Sequence, residues 1–121
     1  MIEREKIPNR RMHETRDIEF QGHEFVASFG FLPGPGARVI EVFCHGMKEG
    51  SAIQQTLNDA CIMTGIMLQL GFDAQELSQH CGMLCAEGED YGPSASIIGH
   101  LLRISEDVDQ GLEEDYGTDY Q

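Results

Sequence analysis

The chain has 121 residues, with 21 acidic and 8 basic side chains and a formal net charge of -13. This length fits one domain with a modest core and excludes a large catalytic barrel. So acidic a surface repels phosphate backbones, and nucleic acid is not an expected partner. The sequence contains no apolar run of about 18 residues and no apolar export segment near its charged N-terminus. We therefore expect a soluble, cytoplasmic protein that makes no membrane contact.

The two ends of the chain differ in charge. Residues 1–13 carry several basic side chains without hydrophobic periodicity and are predicted to form a flexible basic arm. Residues 105–121 contain seven acidic side chains and no basic one, which predicts a disordered acidic tail. The tail also contains Tyr116 and Tyr120, so a docking role for it stays open.

Polar and apolar residues alternate from Thr15 to His45, in three runs separated by two turn signals. The first turn is Gln21-Gly22 and the second is the Pro-Gly-Pro-Gly segment at 33–36. This pattern predicts a three-stranded antiparallel meander with one core face.

The period then becomes helical. Ser51 and Gln54 form a capping box ahead of a long apolar helix that should end at Gly71, and its second half is apolar almost all round. A helix of that kind is expected to be covered on more than one side. A second helix should begin at Asp73, and a third should run from Ser94 to about residue 104. We therefore predict an α+β domain over 14–104, with about three helices packed on one face of the meander.

The segment "QHCGMLC" at 79–85 contains His80, Cys81 and Cys85 and has three interpretations. The four cysteines of a chain with no export signal are expected to be reduced. Cys81 and Cys85 are then helix-end core thiols, two ligands of a zinc site together with His80 and one further residue, or a thiol-redox pair.

The segment "HGMKEGS" at 45–51 is a candidate anion site. It joins the third strand to the longest helix, where backbone N–H groups and the positive end of the helix dipole favour an anion. Lys48 supplies a cation, Gly46 and Gly50 allow close approach, and Ser51 can satisfy one N–H group. The alternative is a plain strand-to-helix connection.

The run from Ile40 to Gly82 resembles the TSCPD domain, which occurs at the C-terminus of adenosylcobalamin-dependent ribonucleotide reductases and as short stand-alone bacterial proteins. The similar features are "EVF" on a strand, "EGS" at a helix start, "NDA" within that helix and "LQLG" at its end. The upstream "PNRRMHET" resembles the opening of the stand-alone members. Where the family has Thr-Ser-Cys-Pro-Asp, this chain has "YGPSASIIGHLL" with no cysteine, so no role of that cysteine is carried over.

The resemblance implies a ribonucleotide reductase-related accessory domain. The family's catalytic residues belong to a barrel that 121 residues cannot hold, so no catalytic residue is assigned and no cofactor is expected. The expected partner is a protein, either a reductase or another enzyme of DNA metabolism, or else a nucleotide. A homo-oligomer is also left open, and the zinc or thiol-redox domain remains the alternative function.

Overall fold

The computed structural model describes residues 12–85 and 93–117. The elements run in the order β1 (Met12–Phe20), β2 (His23–Phe31), β3 (Val39–His45), α1 (Ala52–Gln69), α2 (Ala74–Gln79), β4 (Met83–Cys85), β5 (Pro93–Ala95) and α3 (Ile97–Tyr116). The first three strands form one antiparallel sheet in the order β1-β2-β3, and β4 pairs with β5 as a separate hairpin. The predicted α+β meander with three helices is confirmed.

The two predicted turns are confirmed by their backbone angles. Gln21 and Gly22 both have positive φ, at 49° and 79°, as a two-residue hairpin turn of the primed type requires. Gly34 and Gly36 also have positive φ, and Ala37 N–H donates to the Gly34 carbonyl at 3.0 Å. Glycine is therefore required in the second connection for its conformation.

The core lies between one face of the sheet and the helices. Alternate residues of β2 are buried on this face, and Phe29 is fully enclosed. They pack against the inner sides of α1 and α3. The opposite face is polar and open, and there His13 Nε2 lies 3.1 Å from Glu41 Oε1 across the side-chain-free Gly30. Met12 and His13 therefore belong to β1, and the rest of the predicted basic arm lies outside the described residues.

Strand β3 is an edge strand, and side chains from α1 and α3 bind three of its backbone groups. Gln54 and Gln69 of α1 donate to the carbonyls of Cys44 and Ile40, at 2.9 and 3.0 Å. On α3, Asp109 Oδ1 accepts from Val39 N–H at 2.6 Å. These bonds satisfy part of the edge that would otherwise be able to pair with another strand.

The prediction that residues 105–121 form a disordered tail is wrong for residues 105–116. Helix α3 continues to Tyr116, and Ser105, Val108 and Leu112 are buried along one side of it. The acidic residues are concentrated among the more exposed positions of the same helix, so the charge does not prevent the apolar side from packing. Residues 118–121 lie outside the described part of the chain.

The predicted start of the third helix also needs correction. The third helix begins at Ile97, after the capping residue Ser96, and not at Ser94, which lies in β5. Within the described ranges, no helix has the length and apolar character needed to cross a membrane.

Candidate functional site

Side chains in and beside the connection from β3 to α1 accept from several of its backbone N–H groups. Ser51 Oγ accepts from Gln54 N–H at 3.2 Å and donates to the Lys48 carbonyl at 2.5 Å. The Gln54 side-chain oxygen in turn accepts from the N–H groups of Gly46 and Met47, at 3.2 and 3.0 Å. The connection is thus held together by its own side chains.

The glycines of this connection have structural reasons of their own. A Cβ on Gly46 would lie 2.3 Å from the Phe25 ring, so glycine is needed there for packing. Gly50 has a φ of 80°, which favours glycine. Lys48 is exposed. The anion site at Gly46, Lys48, Gly50 and Ser51 stays a prediction.

The sequence suggests that the residues of "QHCGMLC" lie at the end of a helix, but not all of them do. Helix α2 ends at Gln79, His80 caps it, and Cys85 belongs to β4. Cys81 is a partly buried free thiol that donates to the Leu77 carbonyl at 3.5 Å. The side chain of Cys85 lies outside the described residues, and among the described side chains no group of three potential ligands is close enough to hold a metal. The zinc and redox interpretations stay predictions.

The other two cysteines are interior thiols. Burial raises the pKa of Cys44 to about 11 and that of Cys61 to about 12. Both side chains are about 1% exposed. At neutral pH they stay protonated and serve as small apolar core residues.

An apolar groove of about 480 Å³ lies between the N-terminal parts of α1 and α3, beside the β1–β2 turn. Its lining consists of Phe20, Gln21, His23, Phe25, Met47, Ala52, Ile53, Thr56, Leu57, Ala60, Ile97 and Ile98. The lining contains no Asp, Glu, Lys or Arg. The sequence did not predict this groove, because its walls come from elements about 80 residues apart.

One side of α1 extends the groove along the outer surface. This side, named the α1 face here, consists of Ile53, Thr56, Ala60, Met63 and Met67. Ile53 and Met63 are each 65% exposed and Met67 is 40% exposed, although the opposite side of α1 is buried on β3. The expectation that α1 is covered on more than one side is therefore wrong in the described structure.

The α1 face stands out because the rest of the chain is so strongly charged. Between Ser51 and Phe72 the only Asp, Glu, Lys or Arg is Asp59. Most of the exposed large apolar side chains among the described residues belong to α1 or directly follow it. A contiguous exposed apolar surface of this kind marks an interaction site.

Comparison with known proteins gives one relevant similarity. The chain is 36% identical over 74 residues to the vitamin B12-dependent ribonucleotide reductase of Agrobacterium fabrum (strain C58 / ATCC 33970). The match covers 61% of this chain and 6% of the reductase, so the chain spans a small fraction of that relative's length. No family model matches the chain, and no solved structure matches it. The comparison thus supports a relationship between this domain and part of a ribonucleotide reductase.

Proposed function

We propose that this chain is a TSCPD-like accessory domain of deoxyribonucleotide synthesis, which binds a protein partner and has no catalysis of its own. The observation that carries the proposal is the uncharged, exposed α1 face beside an apolar groove, in a domain similar to a segment of a reductase. The preferred partner is the cell's vitamin B12-dependent ribonucleotide reductase.

The shape of the surface favours a helical partner. A groove between two helices, continued by an apolar helix face, accepts the apolar side of another helix. Each large side chain newly buried there contributes roughly 1.5–3 kcal/mol. Micromolar binding corresponds to about 8 kcal/mol, and association costs at least about 4 kcal/mol, so roughly five to eight such side chains, counted over both partners, have to be buried.

The chemistry of the groove supports binding more than catalysis. The described groups whose pKa departs clearly from its ordinary value are Cys44, Cys61 and Asp109, and none of them lines the groove. Perturbed ionisable groups in a cleft are the usual sign of acid–base or nucleophilic chemistry. The polar lining of the groove is limited to His23, Gln21 and Thr56.

The proposal is tested by binding of the purified chain to the immobilised, purified reductase of the same organism, measured by biolayer interferometry. Met67→Lys places a charge on the α1 face and should weaken binding by about 10-fold to 100-fold, equivalent to roughly 1.4–2.8 kcal/mol. Val26→Lys is the matched control, because Val26 is 47% exposed on the open face of the sheet.

Two results would count against the proposal. Failure of the unaltered chain to bind at about 100 µM, a concentration at which a micromolar complex is saturated, would remove the reductase as partner. Equal losses in the two variants would remove the α1 face as the binding surface.

A further inference from the structure

The residues of the α1 face follow one another at intervals of three, four, three and four. This is the spacing of the seam residues in a coiled coil, where one helix packs along another. We propose that the α1 face binds the α1 face of a second copy of this chain, antiparallel, with the two-fold axis at Ala60. The inference rests on the proposed function only in taking the α1 face as a binding surface.

The order of side-chain sizes along the face fits a two-fold pairing. Ala60 is the midpoint between Ile53 and Met67. An antiparallel copy centred there therefore places Ile53 of each copy against Met67 of the other. The next layer places Met63 against Thr56, a long side chain against a short one. At the axis Ala60 meets its own copy, and such small residues let two helices approach to about 8 Å. An isologous interface requires this self-complementarity.

The groove gives the pairing a further contact. Ile53 lines the groove, and in this arrangement the second copy's Met67 lies against Ile53. A flexible methionine side chain is suited to filling an irregular apolar space. The pairing therefore covers the exposed face and part of the groove together.

Charge restricts self-association to surfaces that carry few charged residues, and the α1 face is one of them. Each copy has a net charge of -13, so two copies repel one another over most of their surfaces. The α1 face has no charged residue, and Asp59 is the only one on the helix. Salt screens the long-range repulsion between the two copies but does not weaken the apolar contact. Added salt should therefore strengthen the dimer.

The size of the face sets the expected strength. The seam spans 14 residue steps, about 21 Å of helix, which places it at the small end of specific interfaces. We therefore expect a dissociation constant on the order of micromolar and a monomer in dilute solution.

The register is tested by disulfide trapping. Ala60→Cys, in a Cys81→Ser/Cys85→Ser background, should give a covalent dimer on mild oxidation, because the two-fold axis brings the residue against its own copy within disulfide range. Asp59→Cys in the same background is the matched control, one position away and off the seam. Cross-linking of Ala60→Cys no faster than that of Asp59→Cys would overturn the proposed register.

Sedimentation equilibrium of the unaltered chain tests whether it associates. Concentrations from about 1 to 500 µM bracket a micromolar dissociation constant. The chain should shift from monomer to dimer, and more readily in added salt. Met63→Lys should abolish the shift, whereas Ile62→Lys, at a 52% exposed position on the same helix, should leave it unchanged. A monomer at every concentration, or equal effects of the two lysines, would overturn the proposal.

These outcomes are separable from those for the reductase. A chain that remains monomeric yet binds the reductase refutes the pairing and leaves the proposed function standing. A chain that pairs through Ala60 but does not bind the reductase supports the pairing and refutes the proposed partner.

Discussion

Asp109 offers a quantitative test of how α3 is fixed to the sheet. Burial raises the pKa of its carboxyl from 3.8 to about 6, while its hydrogen bond from Val39 N–H and the charge of Arg38 act in the opposite direction. Because the folded-state pKa lies above the unfolded one, the stabilising contribution is fully present below about pH 4 and is lost as pH rises through about 6. Two pKa units correspond to about 2.7 kcal/mol, and partial exposure of the side chain reduces this to roughly 1–2 kcal/mol.

Two substitutions separate the charge from the hydrogen bond. Asp109→Asn keeps an oxygen that accepts from Val39 N–H and removes the charge. Near pH 4 this variant and the unaltered chain should have the same free energy of unfolding. At pH 7 the free energy of unfolding of the variant should be higher by about 1–2 kcal/mol. Asp109→Ala leaves the buried Val39 N–H without this acceptor and should be less stable than Asp109→Asn by about 1–3 kcal/mol at both pH values.

Urea denaturation followed by circular dichroism at the two pH values measures these differences. Taking each variant relative to the unaltered chain removes the common contribution of the other acidic residues. A stability difference between Asp109→Asn and the unaltered chain that does not change with pH would refute the assignment of a raised pKa to Asp109.

Four further outcomes are expected. Removing the C-terminal half of α3 should lower the free energy of unfolding by at least about 3 kcal/mol in urea titrations, because two buried apolar side chains are lost. Gln54→Ala should cost about 2–3 kcal/mol by the same assay, whereas Gln55→Ala, at an exposed position, should stay within about 0.5 kcal/mol. Alkylation mapped by mass spectrometry should modify Cys81 well before Cys44 or Cys61, whose raised pKa values and burial protect them. The purified chain with adenosylcobalamin and a dithiol should not convert ribonucleotides above a no-protein control.

Local signals in the sequence predicted the sheet and the first helix. The Gln21-Gly22 turn, the alternation along β2 and the Ser51 cap each depend on neighbouring residues, and each is present in the structure. Helix α3 was predicted too short because acidic residues dominate the composition after residue 104. Its apolar signal, Leu101, Val108 and Leu112 at helical spacing, was nevertheless available.

The candidate site depended on information that local patterns do not contain. The apolar second half of α1 predicts burial, but Met63 and Met67 lie on its outer side. Whether a given side of an apolar helix is covered depends on where the other elements pack, and here α1 and α3 leave a groove between them. The short strand β4 was missed because three residues carry too little periodicity to predict a strand.

Hydrogen–deuterium exchange of the chain with and without the purified vitamin B12-dependent ribonucleotide reductase tests the central claim most directly. It should be carried out at a chain concentration low enough to keep the chain monomeric. Binding through the α1 face predicts slower exchange in peptides covering residues 52–72, with the β1–β2 turn at the groove also protected. Unchanged exchange throughout the chain, or protection confined to the open face of the sheet, would contradict the claim.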